Sequence, residues 1–321
     1  MFKTRLFNQR KLPLVVEPDI ATVGVANVQS LISAYLHERD YLQGKLRKHG
    51  GLLFRGWSID SAAAFAEFVR SASNTELLGY VDGTSPRQKV GDGIYTSTEY
   101  PPSYHISLHN ELSYTHKWPS ELFFCCIVAP LQGGETPIVD SRALLNRIDP
   151  EIVQQFKSKG IRYVRNLHGG HGFGLSWQSV FETQDKAVIE RYCSEGEIDF
   201  KWTDEGGLWL SHVRPAVATH PETGEEVWFN QADQFHPTEM DEQTRKALLS
   251  IMKLESLPKN SYFADGTPID PAVLAEIRRV TRDEMVLFPW ESGDVLLIDN
   301  MLTSHGRMPF SGPRKILVAM T

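Results

Sequence analysis

The residues with the clearest chemical potential are two histidines and one glutamate. His109 and Glu111 lie two residues apart in the segment SLHNELSY (107–114), whose pattern is typical of a strand. Because side chains alternate between the two faces of a strand, His109 and Glu111 are expected on one side and Asn110 on the other. An imidazole and a carboxylate in this arrangement can bind one metal ion from adjacent corners.

A third ligand must come from a distant part of the chain. His305 is the candidate, because it follows the apolar strand pattern DVLLID (294–299) and precedes Gly306, which allows a close backbone turn. Two histidines and one carboxylate on one face of an octahedron leave the opposite face open, which is the arrangement of non-haem Fe(II) oxygenases. The same ligand types bind Zn²⁺ in hydrolases, so a zinc-dependent hydrolase stays open as an alternative, as does a binding protein without catalysis.

A second pair of histidines, His168 and His171, lies in a glycine-rich stretch. No cysteine or carboxylate stands nearby at the spacing of a zinc finger. The pattern therefore predicts a loop over the site rather than a second metal site. The sequence also contains no HExxH, Walker or nucleotide-binding glycine motif.

The elements that must position these residues are predicted from periodicity and end signals. Apolar residues at helical spacing predict a helix over 28–36, and a second helix is expected to begin with Ser58 or Asp60 as its cap. Residues 79–102, rich in Gly, Ser, Thr and Pro, predict a long loop near a site. The remaining predictions are strands at 52–54, 104–109, 121–128, 136–139, 161–165, 294–299 and 315–320, and helices from Asp149-Pro150 to Gly160 and at 183–194, 241–255 and 270–280.

Composition limits the classes of partner. The 321 residues carry a net charge of −7 without long runs of one sign, which argues against nucleic acid or an anionic membrane surface as the main partner. No apolar stretch is long enough to span a bilayer, and no secretory signal pattern opens the sequence. Of the three cysteines, Cys125 and Cys126 lie in the apolar run LFFCCIVAP and are expected to be buried small residues rather than disulfide partners or ligands. A cytoplasmic setting is therefore expected, and the sequence leaves the oligomeric state, including a homo-oligomer, open.

Several segments in order along the chain resemble one family. GGETPIVDSR (133–142) and IDNMLTSHGRMPFSGPRK (298–315) are similar to segments of the taurine dioxygenase (TauD/TfdA) family of Fe(II)/2-oxoglutarate-dependent oxygenases. HGGHGFGLSWQSVF (168–181) and VRPAVATHPETGEEVWFNQ (213–231) look closest to its syringomycin-biosynthesis hydroxylase-like branch, which acts on amino-acid-like substrates. The resemblance runs from about residue 51 to the last residue. It implies one catalytic domain over residues 1–321, a mixed α/β protein whose mainly β core is a double-stranded β-helix (jelly roll) flanked by helices, with a helical insertion at about 143–290.

The resemblance also implies roles for individual residues. His109, Glu111 and His305 match the family's metal ligands, and Thr136 and Arg314 match the residues that bind the distal carboxylate of 2-oxoglutarate. A planar guanidinium neutralises such a carboxylate with two parallel hydrogen bonds. Because neighbours on a strand face opposite ways, only one of Arg314 and Lys315 can point inward, and Arg314 is preferred.

The implied reaction is hydroxylation of an unactivated carbon of a small amino-acid-like substrate, using Fe(II), 2-oxoglutarate and O2, in antibiotic or other specialised metabolite biosynthesis. Glu111 at the carboxylate position argues for oxygen transfer or desaturation, since the related halogenases have a small residue there. Desaturation or epoxidation of a substrate tethered to a carrier protein stays open, although the net charge of −7 favours a free substrate over docking of an acidic carrier. Arg307, Arg165 and Asn166 are the candidates for binding the substrate, and bracing of the loop is the alternative role of Arg307.

Overall fold

Strands form the framework that holds the predicted site. The computed structural model describes residues 1–73, 75–85, 87–91 and 93–321 of the chain. The strands in these residues are β1 (Phe2–Leu6), β2 (Leu14–Pro18), β3 (Gly51–Phe54), β4 (Lys89–Gly91), β5 (Ile94–Thr96), β6 (Ile106–His109), β7 (Glu121–Val128), β8 (Gln132–Gly133), β9 (Ile138–Asp140), β10 (Ile161–Leu167), β11 (Asp199–Trp202), β12 (Leu208–Arg214), β13 (Val217–Thr219), β14 (Glu226–Trp228), β15 (Lys259–Phe263), β16 (Val295–Asp299), β17 (Thr303–Arg307), β18 (Phe310–Ser311) and β19 (Lys315–Met320).

The helices lie mainly outside this framework. They are α1 (Ile20–Val23), α2 (Val28–His37), α3 (Arg39–His49), α4 (Ala62–Ala72), α5 (Ser141–Arg147), α6 (Pro150–Lys159), α7 (Trp177–Phe181), α8 (Lys186–Glu195), α9 (Ala232–Phe235), α10 (Glu242–Ile251) and α11 (Pro271–Glu284), with 3-10 turns at Pro237–Glu239 and Leu254–Ser256. In the described part of the chain no helix is both long and apolar enough to cross a membrane.

Helix ends follow the local chemistry, with one correction. Asp149 caps α6 with Pro150 in its first turn, and the helix stops at Gly160, as predicted. The predicted cap of α4 is wrong: Ser61, rather than Ser58 or Asp60, accepts a hydrogen bond from the third helical residue. Ser58 has a positive φ of 53°, a backbone conformation that an N-cap does not adopt.

The largest sheet has eight strands in the order β1-β2-β3-β16-β7-β19-β5-β4. Its central strands are buried on both faces and alternate between two hydrophobic clusters. In β7, Phe123 and Cys125 face α2, α3 and α4, whereas Leu122, Phe124 and Cys126 face the interior. The three cysteines are free and buried, which was expected for Cys125 and Cys126. The sheet thus separates a helix-covered face from the face that carries chemistry.

A smaller sheet, β6-β17-β9, lies on the interior side of the large sheet. Phe124 of β7 brings its ring within 5.0 Å (centroid to centroid) of the His305 ring on β17, so the two sheets meet at the predicted ligand. Ile138 and Val139 of β9 join the same interior cluster as Phe124. Two facing sheets of mainly antiparallel strands flanked by helices confirm the predicted jelly-roll core.

The segment between α5 and β16 contains the predicted helices and also a four-stranded antiparallel sheet, β11-β12-β10-β15. Tyr163 of β10 and Phe263 of β15 lie in the same hydrophobic cluster as Phe124 of the jelly roll. This continuous packing fixes the insertion against the core and, as shown below, makes it one wall of a cavity.

Residues 79–102 contain more structure than the predicted loop. β4 pairs with β5, and β5 pairs with β19 at the edge of the large sheet. Positions 86 and 92 of this stretch lie outside the described residues. The prediction is therefore wrong for the residues of β4 and β5, while its placement near a site agrees with the contacts of Arg87 described below.

Candidate metal centre

The two histidines are brought together by strand pairing. β17 pairs with β6 so that His305 lies directly opposite His109, and their ring centroids are 4.5 Å apart. His305 was expected in a loop after the strand at 294–299, but it lies inside β17. The next residue, Gly306, has no side chain, and this is necessary here. A Cβ at position 306 would lie 2.5 Å from the carbonyl oxygen of Ile106 in β6. A larger residue would push the two ligand strands apart.

Glu111 reaches the site from a turn rather than from a strand. β6 ends at His109, and Leu112 has a positive φ of 54°. The predicted alternation therefore does not apply to Glu111, because the strand has already ended. The turn nevertheless places Glu111 Oε2 3.9 Å from His109 Nε2 and 3.7 Å from His305 Nε2. The three predicted ligand side chains therefore lie together, but a turn rather than a strand positions Glu111.

Asn300, to which the sequence analysis gave no role, holds this turn. Its Oδ1 accepts a hydrogen bond from the backbone N–H of Glu111 at 2.7 Å, and its Nδ2 donates to the Glu111 carbonyl at 2.9 Å. The same Nδ2 also donates to the Pro119 carbonyl. Because Asn300 is fully buried at the end of β16, these bonds tie the glutamate backbone to the large sheet.

His109 and Glu111 have the protonation states that a metal requires. His109 Nδ1 lies 2.8 Å from the Ser107 carbonyl, so it carries the hydrogen and leaves the Nε2 lone pair free. Burial, with the neighbouring His305 ring, lowers the pKa of His109 to about 3, which keeps the imidazole neutral. Burial opposes ionisation of Glu111, but the Arg87 guanidinium and the two imidazoles hold the pKa of its carboxyl well below its usual range.

The donor set fits a divalent first-row metal ion. One atom from each of His109, Glu111 and His305 lies within 4.8 Å of the other two, and no other such group occurs in the described ranges. Two imidazoles and one carboxylate suit Fe(II) and leave coordination positions for other ligands. His168 and His171 take no part in a metal cluster of this kind.

Arg87 is a second residue that the sequence analysis missed. Its Nη2 donates to Glu111 Oε2 at 2.5 Å, and its guanidinium lies 4.1 Å from the centroid of the Tyr80 ring. Its Nε and Nη1 are buried and have no hydrogen-bond partner in the described residues. The only sequence signal was the expectation that residues 79–102 lie near a site.

Arg314 and Lys315 point in opposite directions, as neighbours on an extended strand must. Arg314 shares its side with Ile316 and Val318, which face the interior, while Lys315 is exposed. Arg314 donates to the Gly134 carbonyl at 2.9 Å and to Ser97 Oγ at 3.2 Å, but no carboxylate pairs with it in the described chain. Burial, with nearby Arg307, lowers the pKa of Arg314 to about 10. A partly buried cation without an anionic partner can bind a carboxylate ligand.

Thr136 lies in the same cleft as Arg314, His109 and His305. Its hydroxyl accepts from Trp290 Nε1 at 3.2 Å, which leaves the hydroxyl hydrogen free to donate to a ligand. The cleft alone encloses about 30 Å³, but it shares Ser97, Thr98 and Arg314 with an adjoining cleft of about 390 Å³.

Two glycines shape this cleft. Gly133 and Gly134 have φ of 69° and 72°. A Cβ on Gly134 would lie 2.8 Å from Pro130 Cγ and 3.1 Å from Arg314 Cδ. The Gly-Gly pair in the segment 133–142 therefore provides both the left-handed backbone and the room for the arginine.

A larger cavity of about 630 Å³ adjoins the metal centre on the other side of His109. The insertion supplies much of its wall, including the end of the glycine-rich loop at 173–175 and residues from the end of α9 to the start of α10. Its lining is mostly apolar or aromatic and includes Tyr80, Tyr100, Tyr104, Phe173, Leu175, Phe235, Met240 and Leu257. The predicted loop over the site is therefore present.

The three predicted substrate-binding residues are engaged elsewhere. Arg307 donates to four backbone carbonyls, of Thr98, Tyr100, Pro101 and Tyr104, so the structure favours its alternative role of bracing that loop. Arg165 lines the large cavity, but it forms an ion pair with buried Asp82. Asn166 lies on the opposite face of β10, where its amide donates to the carbonyls of Glu255 and Leu257. Of the three, only Arg307 keeps a donor without a partner in the described residues, its buried Nε, whereas both of its terminal nitrogens are engaged by the loop.

Comparison with known proteins agrees with the geometry. Residues 15–321 match the family described as taurine catabolism dioxygenase TauD, TfdA family. The chain is 41% identical over 275 residues to the dapdiamide synthesis protein DdaC of Enterobacter agglomerans, covering 86% of this chain and 83% of that protein. It is 31% identical over 326 aligned positions to the clavaminate synthase-like protein At3g21360 of Arabidopsis thaliana, covering 98% and 94%.

Solved structures share the fold at low sequence identity. PvcB from Pseudomonas aeruginosa has a TM-score of 0.55 at 16% identity, covering 96% of this chain and 84% of that protein. AAD-2, solved with Mn(II) and N-oxalylglycine, has a TM-score of 0.54 at 12% identity, covering 100% and 97%. The chain therefore belongs to the taurine catabolism dioxygenase TauD, TfdA family and is an iron- and 2-oxoglutarate-dependent oxygenase with a jelly-roll core.

Proposed function

We propose that this oxygenase hydroxylates an unactivated carbon of a small amino-acid-like substrate. In this proposal His109, Glu111 and His305 bind iron, while Thr136 and Arg314 bind the distal carboxylate of 2-oxoglutarate. The observation that carries it is that His109 lines both the cationic cleft at Arg314 and the large, mostly apolar cavity. This arrangement suits a reaction with two organic substrates, since each can reach the same metal from its own compartment.

The residues around the metal have distinct tasks in this reaction. When bound, iron with 2-oxoglutarate and O2 supplies an oxidation of the substrate carbon that is coupled to decarboxylation of the co-substrate to succinate. Arg314 orients the co-substrate, Asn300 fixes the turn that carries Glu111, and the aromatic wall excludes water. Because Glu111 supplies a carboxylate at the third ligand position, we expect oxygen transfer or desaturation rather than halogenation.

The substrate class rests on the relatives and on the cavity. A relative named for dapdiamide synthesis supports a role in the biosynthesis of a specialised metabolite.

The insertion supplies much of the cavity wall, so we propose that core and insertion act as one catalytic unit. A zinc-dependent hydrolase would need no partly buried arginine without an anionic partner, which disfavours that alternative.

The test is turnover of 2-oxoglutarate with free amino acids and with the same residues loaded as thioesters on a carrier protein. We expect succinate formation coupled to a product that is heavier by one oxygen atom, from free substrates. A product that lacks two hydrogens would replace hydroxylation by desaturation. Coupled product from carrier-bound substrates alone would overturn the preference for a free substrate.

A further inference from the structure

One cation in the large cavity is not neutralised. Lys259, the first residue of β15, pairs in register with Arg165 of β10, so both side chains are on the same face and line the cavity. Lys259 Nζ lies 5.6 Å from the centroid of the Phe235 ring. Within the described chain no oxygen atom lies within hydrogen-bonding or ion-pairing distance of this ammonium. Arg165 beside it is already paired with Asp82.

One carboxylate in the same cavity is also unpaired. Glu239, at the end of the 3-10 turn Pro237–Glu239, lines the cavity and accepts a single hydrogen bond, from Ser107 Oγ at 3.1 Å. No cation in the described residues forms an ion pair with it. Ser107 is the residue whose carbonyl accepts from His109 Nδ1, so Glu239 is linked to the metal centre through one residue.

The two charges do not satisfy each other. Glu239 interacts electrostatically with Lys259, but the two groups are not within ion-pairing distance. Burial lowers the pKa of Lys259, Glu239 opposes this shift, and Arg165 adds to it. An ammonium and a carboxylate kept apart in a mostly apolar cavity are costly unless a ligand bridges them.

We propose that Lys259 binds the carboxylate and Glu239 the ammonium of a free, zwitterionic α-amino acid, whose remaining atoms extend toward His109. This inference rests on the proposed function and deepens it by naming the recognition groups. It replaces Arg307 and Arg165, which the sequence had suggested for the substrate carboxylate. A carrier-bound thioester lacks the carboxylate and would leave Lys259 without a partner.

The experiment compares free L-amino acids with their carboxamides as probes. Each is titrated anaerobically into protein loaded with Fe(II) and 2-oxoglutarate, and binding is followed by calorimetry; succinate formation is then measured in air. The variants are Lys259→Met, which removes the charge at similar length, and Lys259→Arg, which keeps it. Lys159→Met is the matched control, because Lys159 also lies over a phenylalanine, Phe263, but does not line the cavity.

We expect Lys259→Met to weaken binding and raise KM of the best free amino acid by about ten- to a hundredfold, with a much smaller change in kcat. Lys259→Met should leave binding of the carboxamide almost unchanged. Lys259→Arg should retain binding of the free amino acid, and Lys159→Met should bind both ligands as the wild type does. Glu239→Gln should weaken binding of the free amino acid but not binding of its des-amino analogue.

Two contrary results separate the inference from the function on which it rests. If Fe(II) and 2-oxoglutarate bind but the carboxamide is as good a substrate as the free acid, or only carrier thioesters react, the Lys259 assignment is overturned and the oxygenase function stands. If wild-type protein forms no complex with Fe(II) and 2-oxoglutarate, the proposed function fails, and the inference fails with it.

Discussion

Replacement of Arg314 by Gln tests the co-substrate site. Arg314 is partly buried, donates to the Gly134 carbonyl and to Ser97 Oγ, and has no anionic partner in the described residues. Gln removes the charge and most of the donors while keeping a polar side chain. The neighbouring Lys315 offers a matched control, because it is adjacent in sequence but exposed on the other side of the strand.

The magnitude follows from the lost contacts. A charged, bidentate interaction with a buried carboxylate contributes about 2–4 kcal/mol, so the Kd for 2-oxoglutarate should rise by roughly thirty- to a thousandfold. The ligand-free protein should behave differently, since the substitution removes an uncompensated, partly buried charge. Its Tm should therefore stay the same or rise, while the increase in Tm that 2-oxoglutarate gives the wild type should disappear.

The assay is an anaerobic titration of 2-oxoglutarate into protein that already contains Fe(II). Lys315→Gln should bind as wild type does. Normal binding by Arg314→Gln together with a loss of binding by Lys315→Gln would show that the strand register deduced here is off by one. Normal binding by both variants would remove the proposed role of this cleft.

Further predictions concern the ligands and the residues that support them. His305→Ala should abolish Fe(II)-dependent succinate formation, because two ligands do not hold the ion against water. Succinate formation by this variant at the wild-type rate would exclude His305 as a ligand. Thr136→Val should weaken 2-oxoglutarate binding by about 1 kcal/mol, roughly fivefold, in the same titration. Gly134→Ala should lower the free energy of unfolding by about 1–2 kcal/mol, measured by denaturant titration, because its φ of 72° disfavours a Cβ. Asn300→Ala should cost about 3 kcal/mol in the same measurement and weaken Fe(II) binding, since it frees the buried backbone of Glu111; unchanged iron affinity would make Asn300 purely structural.

The parts of the site that the sequence predicted depend on short-range regularity. The inward direction of Arg314 follows from the strict alternation of β19, in which Ile316 and Val318 face the interior. The same reasoning placed Glu111 beside His109, but β6 ends at His109 and the turn at Leu112 delivers the carboxylate instead. Leucine is not typical of a left-handed backbone, so the sequence carried no signal for this turn.

The parts that were missed depend on contacts between distant segments. Asn300 lies 189 residues from Glu111 along the chain, and no local pattern reveals that its side chain bonds to that backbone. Arg307 and Arg165 were chosen for their charge and for their positions, just after His305 and just before the glycine-rich loop. Only the structure shows that backbone carbonyls bind Arg307 and that Asp82 pairs with Arg165. Lys259 became a candidate because β15 pairs it with Arg165, a pairing that joins residues far apart in the insertion.

The central claim is that His109, Glu111 and His305 hold one Fe(II) ion beside a 2-oxoglutarate site. The most direct test is the visible absorption of the anaerobic protein during addition of Fe(II) and 2-oxoglutarate. We expect a charge-transfer band of the chelate that saturates at one iron per chain in the wild type and is absent from His109→Ala and His305→Ala. A wild type without this band, or a band that persists unchanged in both variants, would contradict it.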